Sequence, residues 1–211
     1  MAGDHDAPQG RYARGAQPPT VLSLIHERGT RGWPLEDRYR PLYTPDLSLR
    51  AYARLPHHDG AMTPGATEDT VDGMPLATIA RLIARLRPER SRWTPVRRTD
   101  GPKKNGKRRP LGLPTWSDPV LQAVLRSLFE AYDEPQGSDH SDGFRPKRGC
   151  QSALNTITPT WNGTRWVIEG ASTRCFEAID PQILCTILKE RLHDHRCLRL
   201  TQHLLQAGDG E

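Results

Sequence analysis

No apolar run in the 211 residues is long enough to span a bilayer, and the opening Met-Ala-Gly-Asp-His-Asp has no apolar core of the kind a secretion signal carries. An intracellular, cytoplasmic protein with no membrane partner is expected. The chain also lacks any Cys-x-x-Cys pairing: Cys150, Cys175, Cys185 and Cys197 stand apart, and His193 and His195 have no metal-ligand spacing beside them. That predicts reduced thiols rather than a disulfide framework or a zinc site. Periodic apolar residues are missing from Met1 to about Thr20, a stretch rich in Gly, Pro, Asp and Arg, so residues 1–34 are expected to form a disordered or weakly ordered tail.

What is present is a modest apolar content of 35%, enough for one small domain or a piece of a larger one, and a net charge of +5. The positive charge is concentrated. Between Pro95 and Thr115 the chain carries Arg97, Arg98, Lys103, Lys104, Lys107, Arg108 and Arg109 with Asp100 as the sole acid. The Lys104-Asn105-Gly106-Lys107 centre has the turn chemistry that folds two short strands into a hairpin. Cations on such a ribbon neutralise phosphates and release their counterions, although a basic run by itself is equally a solvated turn.

Helical periodicity follows on both sides. Short patterns lie in Val21–Glu27 and Leu35–Arg54, with Leu42, Leu47, Leu49 and Tyr52 as expected buried positions. Leu76, Ile79, Leu82, Ile83 and Leu86 share one helix face, while Arg81, Arg85 and Arg87 take the other as a wet face or an RNA contact. Ser117 is a candidate cap for a helix striped by Val120, Leu121, Val124, Leu125, Leu128 and Phe129. Arg165–Gly170 reads as a buried strand, and Ser172–Ile179 as a turn and short helix. Asp180-Pro181 opens a helix with Ile183, Leu184, Ile187, Leu188 and Leu192, and a further pattern runs from Cys197 to Ala207.

Between these lies Asp142-Gly143-Phe144-Arg145-Pro146-Lys147-Arg148-Gly149, where Phe144 can pack or stack and Arg145 and Arg148 can hold phosphates or backbone carbonyls. The order of basic hairpin, Leu-Gly-Leu-Pro-Thr-Trp-Ser-Asp, a helix carrying Gln122, Gly-Phe-Arg-Pro, then Trp-Val-Ile-Glu-Gly and Arg-Cys-Phe-Glu-Ala-Ile-Asp resembles the reverse transcriptases and maturases of group II introns. The likeness extends from about Leu35 to the C-terminus.

The resemblance implies an α+β fold. Residues 35–94 would be a mostly helical N-terminal extension, with the Gly-rich loop Gly60–Met74 ahead of a helix; 95–164 would be the fingers, and 165–211 the first strand and helices of an incomplete palm. It further implies RNA-directed DNA synthesis with two Mg²⁺ ions held by carboxylates. By that likeness Arg97 and Lys103 would contact an incoming triphosphate and Phe176 its sugar. Arg98, Lys104, Lys107, Arg108, Arg109, Arg145 and Arg148 would hold intron or other structured RNA.

Two departures bear on the chemistry. The pattern puts Ala171 where the first metal-binding aspartate belongs, and the Tyr-Ala-Asp-Asp motif that supplies further ligands has no counterpart before Glu211. Glu169 is displaced from Ala171 by about 6.6 Å along a strand, too far to replace a ligand. Asp100 and Gly101 also weaken the first hairpin strand, and Gly137 stands where an aromatic is common. The expectation is a chain with no intact catalytic residue and no bound metal, which at most binds RNA. The alternatives are a non-catalytic interaction module completed by a separate palm and thumb polypeptide, or a degenerate remnant.

Overall fold

The computed structural model describes residues 20–55, 76–89, 93–102, 108–115, 117–172, 175–176 and 178–207. The Gly-rich loop Gly60–Met74 and the hairpin tip lie outside the described residues. Seven α-helices and one two-stranded antiparallel sheet make up the described fold, an α+β arrangement dominated by helix.

Helix α1 spans Val21–Thr30 and starts at Thr20, whose hydroxyl accepts from the Ser23 N–H at 3.2 Å. It buries Ile25 and Gly29. The expectation of weak order through residue 34 is thereby corrected from Val21 onward: an apolar stripe too short to be stable alone is held by tertiary packing. A 3₁₀ turn at Arg40–Tyr43 leads into α2, Pro45–Arg54, with Leu42 and Leu47 buried. Leu49, expected inside, is exposed because it faces away from the stripe of Leu47 and Ala51.

Helix α3, Leu76–Leu86, buries Ile79, Leu82, Ile83 and Leu86 as the spacing predicts; Leu76, in its first turn, is exposed. Its arginines Arg81, Arg85 and Arg87 are all exposed. The centre of the molecule is α4, Ser117–Asp133, where Val120, Leu121, Val124, Leu125, Leu128 and Tyr132 are all buried. Ser117 is the first helical residue. Helices α1 and α2 lie against α4, and the approach of α1 is close: a Cβ on Gly29 would stand 2.1 Å from the Tyr132 carbonyl oxygen. Only glycine lets the two backbones meet there.

The C-terminal helices close the core from the other side. Helix α6, Pro181–Arg191, is capped by Asp180, which accepts from the Gln182 and Ile183 N–H groups. Helix α7, His195–Gln206, buries Cys197, Leu198, Leu200 and Thr201. Asp194 joins segments far apart in the chain. Its carboxylate caps α7 through the Arg196 and Cys197 N–H groups and accepts from the Tyr39 N–H at 2.7 Å. Beside it Leu35 bridges in parallel to Leu192. Burial pushes the Tyr39 phenol up to about 12, so it stays protonated and donates to the Leu86 carbonyl at 3.0 Å.

Helix α5, Cys150–Thr160, buries none of its residues. The segment after it corrects the expected strand and helix: residues 165–172 form no regular structure, and the described residues of 175–179 only turns and a bend. Trp166 is 88% and Ile168 97% exposed. A strand needs a neighbour to accept its backbone hydrogen bonds, and among the described residues none lies alongside. All four cysteines are free, as expected; Cys185 and Cys197 are buried, Cys150 and Cys175 exposed.

Candidate nucleic-acid interface

The two strands expected of the basic hairpin pair with each other; its Lys-Asn-Gly-Lys centre lies outside the described residues. Strand β1, Arg97–Pro102, pairs antiparallel with β2, Arg108–Leu113, in a register that sets Arg97 opposite Leu113 and Pro102 opposite Arg108. Asp100 and Gly101 do not interrupt it; they pair with Pro110 and Arg109. Both strands are edges of a two-stranded ribbon, which is why prolines without an N–H are accommodated at 102 and 110.

A lone two-stranded ribbon is marginal in water, so its root matters. Trp93 is buried and its indole N–H donates to the Leu200 carbonyl of α7 at 2.9 Å. The Thr94 N–H donates to the Asp118 carboxylate of α4 at 3.1 Å, and burial holds that carboxyl above its usual range. Just after the return strand Thr115 is buried, its hydroxyl 3.3 Å from that of Ser117. The ribbon is thus pinned at both legs to the core helices.

From that root Arg97, Arg98 and Arg108 project as exposed side chains. Pleating puts Arg98 and Arg108 on one face of the ribbon and Arg97 on the other. Lys103, Lys104 and Lys107 lie outside the described residues; of Arg109 the structure describes the backbone, paired in β2.

Arg145 and Arg148 are placed differently. Arg145 takes the Glu134 carboxylate with two parallel bonds, from Nε at 3.1 Å and Nη2 at 3.0 Å, and donates to the carbonyls of Glu134, Ser138 and Ser141. All of its donors are used within the chain, and its side chain is 13% exposed. Of the two roles open to it in the sequence, phosphate or backbone carbonyls, the geometry takes the second. The hydrogen bond to Arg145 holds the Glu134 carboxyl below its ordinary range. Gly137 belongs to this arrangement: a Cβ there would lie 2.6 Å from the guanidinium carbon, so the glycine makes room for Arg145 rather than marking a lost aromatic. Arg148 donates to the Asp139 carbonyl at 2.8 Å and carboxylate at 3.1 Å.

With its neighbour clamped in this way, Phe144 is forced outward. It sits at φ +57° and is 92% exposed, meeting Phe176 edge to face with ring centroids 6.4 Å apart. Phe176, predicted at a nucleotide sugar, is therefore set beside Phe144 on the surface. Arg126 of α4 and Arg54 of α2, which line the same groove as Phe144, were not singled out in the sequence; nothing in their spacing distinguishes them from ordinary surface cations.

No protein-family profile matches the chain. Individual relatives do. It is 39% identical over 171 residues to the group II intron-encoded protein LtrA of Lactococcus lactis subsp. cremoris, covering 81% of this chain and 28% of that one. The chain is a group II intron reverse transcriptase/maturase-like protein. It is 38% identical over 163 residues to an uncharacterized 91 kDa protein in the cob intron of Schizosaccharomyces pombe, covering 77% of this chain and 20% of the relative. Nuclear intron maturase 1, mitochondrial, of Arabidopsis thaliana is 27% identical over 96 residues, 46% of this chain and 14% of its own length. This maturase-like chain thus spans well under a third of the length of these relatives.

The family implies Mg²⁺, and one position here does not fit it. Where the resemblance calls for an aspartate, Ala171 offers a methyl group, and among the described residues no three His, Cys, Asp or Glu side chains cluster to hold a metal. No helix of the described residues is long and apolar enough to cross a membrane.

Proposed function

We propose that the chain is an RNA-binding piece of a group II intron maturase, corresponding to reverse-transcriptase fingers and the beginning of a palm, and that it is catalytically silent by itself. The observation that carries the reading is the cationic ribbon on its rigid root. Arg97, Arg98 and Arg108 are exposed on a strand pair tied at both legs to α4 and α7, so phosphates meet charges already held in place. Lys103, Lys104, Lys107 and Arg109 extend the same basic run. In this reading Arg97 and Lys103 face an incoming triphosphate where a palm completes the site, and Phe176 lies near its sugar. The remaining hairpin cations hold intron RNA.

The test is titration of a structured group II intron RNA with the purified chain across a salt series. Binding should weaken as salt rises, and Arg98→Gln with Arg108→Gln should reduce the slope of log affinity against log salt by about one per lost phosphate contact. Salt-independent or absent binding would sink the reading. Mg²⁺-dependent primer extension by the chain alone would overturn its catalytic silence.

The exposed apolar surface favours a second reading, a module that docks on a complementing palm and thumb. Trp166, Val167 and Ile168, with Ile183 and Ile187 of α6, are all exposed, and such surface marks association when contiguous. Co-purification with the palm and thumb part of a related maturase is expected, and failure of the two to associate at micromolar concentrations counts against it.

A further inference from the structure

We propose that the groove between α1, α2 and α4, at whose edge Phe144 stands, is a site for an unpaired nucleobase of single-stranded RNA. The base stacks on Phe144, and the adjoining phosphate is held by Arg126 and Arg54. This inference rests on the RNA-binding reading and adds to it a second site, away from the basic ribbon.

The groove is open and has a volume of about 760 Å³, within the range of small-ligand sites. Phe144 and Arg126 line both it and an adjoining hollow of about 430 Å³. Apolar groups lie at its base: Ala51 is buried, Leu55 and Ala123 half-buried. Arg54 and Arg126 are exposed at its margin. Arg126 reaches Glu130 only at 3.8 Å across a surface pair, a contact weak enough to yield to a phosphate. Glu134, the other acid in the wall, is already neutralised by Arg145.

Phe144 itself makes the argument specific. An aromatic residue at positive φ carries backbone strain, and a ring so exposed contributes almost no burial to offset it. The compensation comes from next door, where Arg145 is locked by Glu134 and three carbonyls. The loop therefore fixes the backbone that carries a solvent-facing ring, on the same groove as two exposed guanidinium groups. Flat aromatic faces of this kind take unpaired bases whatever their identity, while the neighbouring cations follow the backbone. A base inside a duplex is already stacked on both sides and has no free face to offer.

Fluorescence anisotropy with a short labelled oligoribonucleotide of mixed sequence, single-stranded and as the fully paired duplex, tests this. Phe144→Gly removes the ring while giving the backbone a residue at ease at this φ, so the thermal midpoint should hold or rise. Its affinity for the single strand should fall about tenfold with duplex binding unchanged, and Phe144→Trp should keep or tighten it. Arg126→Gln should weaken single-strand binding in low salt. Full single-strand affinity in Phe144→Gly overturns the groove site alone, provided that substitutions at Arg98 and Arg108 still weaken both RNAs. No binding of either RNA by the unaltered chain overturns both readings.

Discussion

Helix α4 and the arm formed by α5 and residues 161–179 are both rich in apolar side chains, yet their fates are opposite. In α4 the apolar stripe is buried from Val120 to Tyr132. In the arm Leu154, Trp161, Trp166, Val167, Ile168 and Phe176 are all exposed. Apolar character alone does not bury a residue; a complementary face must be there to receive it. Helices α1 and α2 supply that face to α4, and no described element supplies one to the arm.

The sharpest way to break this contrast is a matched pair of truncations. Leu128→Ala should cost about 2–5 kcal/mol of stability in thermal or denaturant unfolding, because it opens a cavity in the core. Ile168→Ala should change it by less than about 0.5 kcal/mol, since the side chain is already in water. A comparable loss at both positions would mean the arm is covered in solution.

The contact of α1 with α4 is the next most sensitive. Gly29→Ala sets a methyl group against the Tyr132 backbone, where neither partner is a flexible side-chain end. A loss of about 1–3 kcal/mol is expected, although alanine is the better helix former. A gain in stability would show that α1 is not seated as described.

Asp194→Ala should cost about 2 kcal/mol, measured by denaturant unfolding, because it removes the cap of α7 and leaves the buried Tyr39 N–H without its acceptor. Asp194→Asn, which keeps an acceptor oxygen, should recover most of this.

The smallest effect is that of pH on the root of the arm. The Glu134 carboxyl is lowered by its hydrogen bond to Arg145, so the contribution of that pair is fully present above the ordinary carboxylate range and is lost as pH falls through the lowered value. Amide protection across residues 137–148, taken relative to the intrinsic exchange rate at each pH, should therefore hold while ordinary carboxylates protonate, and fall only at more acid pH. Loss of protection within the ordinary carboxylate range would mean the pair does not persist in water.

Several features were legible in the chain because their causes are local. The Lys-Asn-Gly-Lys turn marked the hairpin, the Asp180-Pro181 cap marked α6, and the spacing of Val120 to Leu128 marked the buried face of α4. The order of short motifs pointed to the intron maturases that the relatives then identified. The strand expected at 165–170 was not realised, because a short apolar run shows that a segment suits a buried strand and not whether a partner is beside it. Likewise Arg145 offered two kinds of acceptor in the sequence, and only the fold brought Glu134, Ser138 and Ser141 to its guanidinium.

The sequence by itself determined where helices begin, which face of each is apolar, and where positive charge gathers, since these depend on residues within one or two turns of each other. The tertiary structure alone decided that Asp194 joins Tyr39 across 155 positions of chain, that Gly29 is a point of helix contact, and that Phe144 is held outward beside a groove. Each of these depends on groups far apart in the chain meeting at hydrogen-bond or van der Waals distance, and such a meeting leaves no periodic trace in the residues that take part in it.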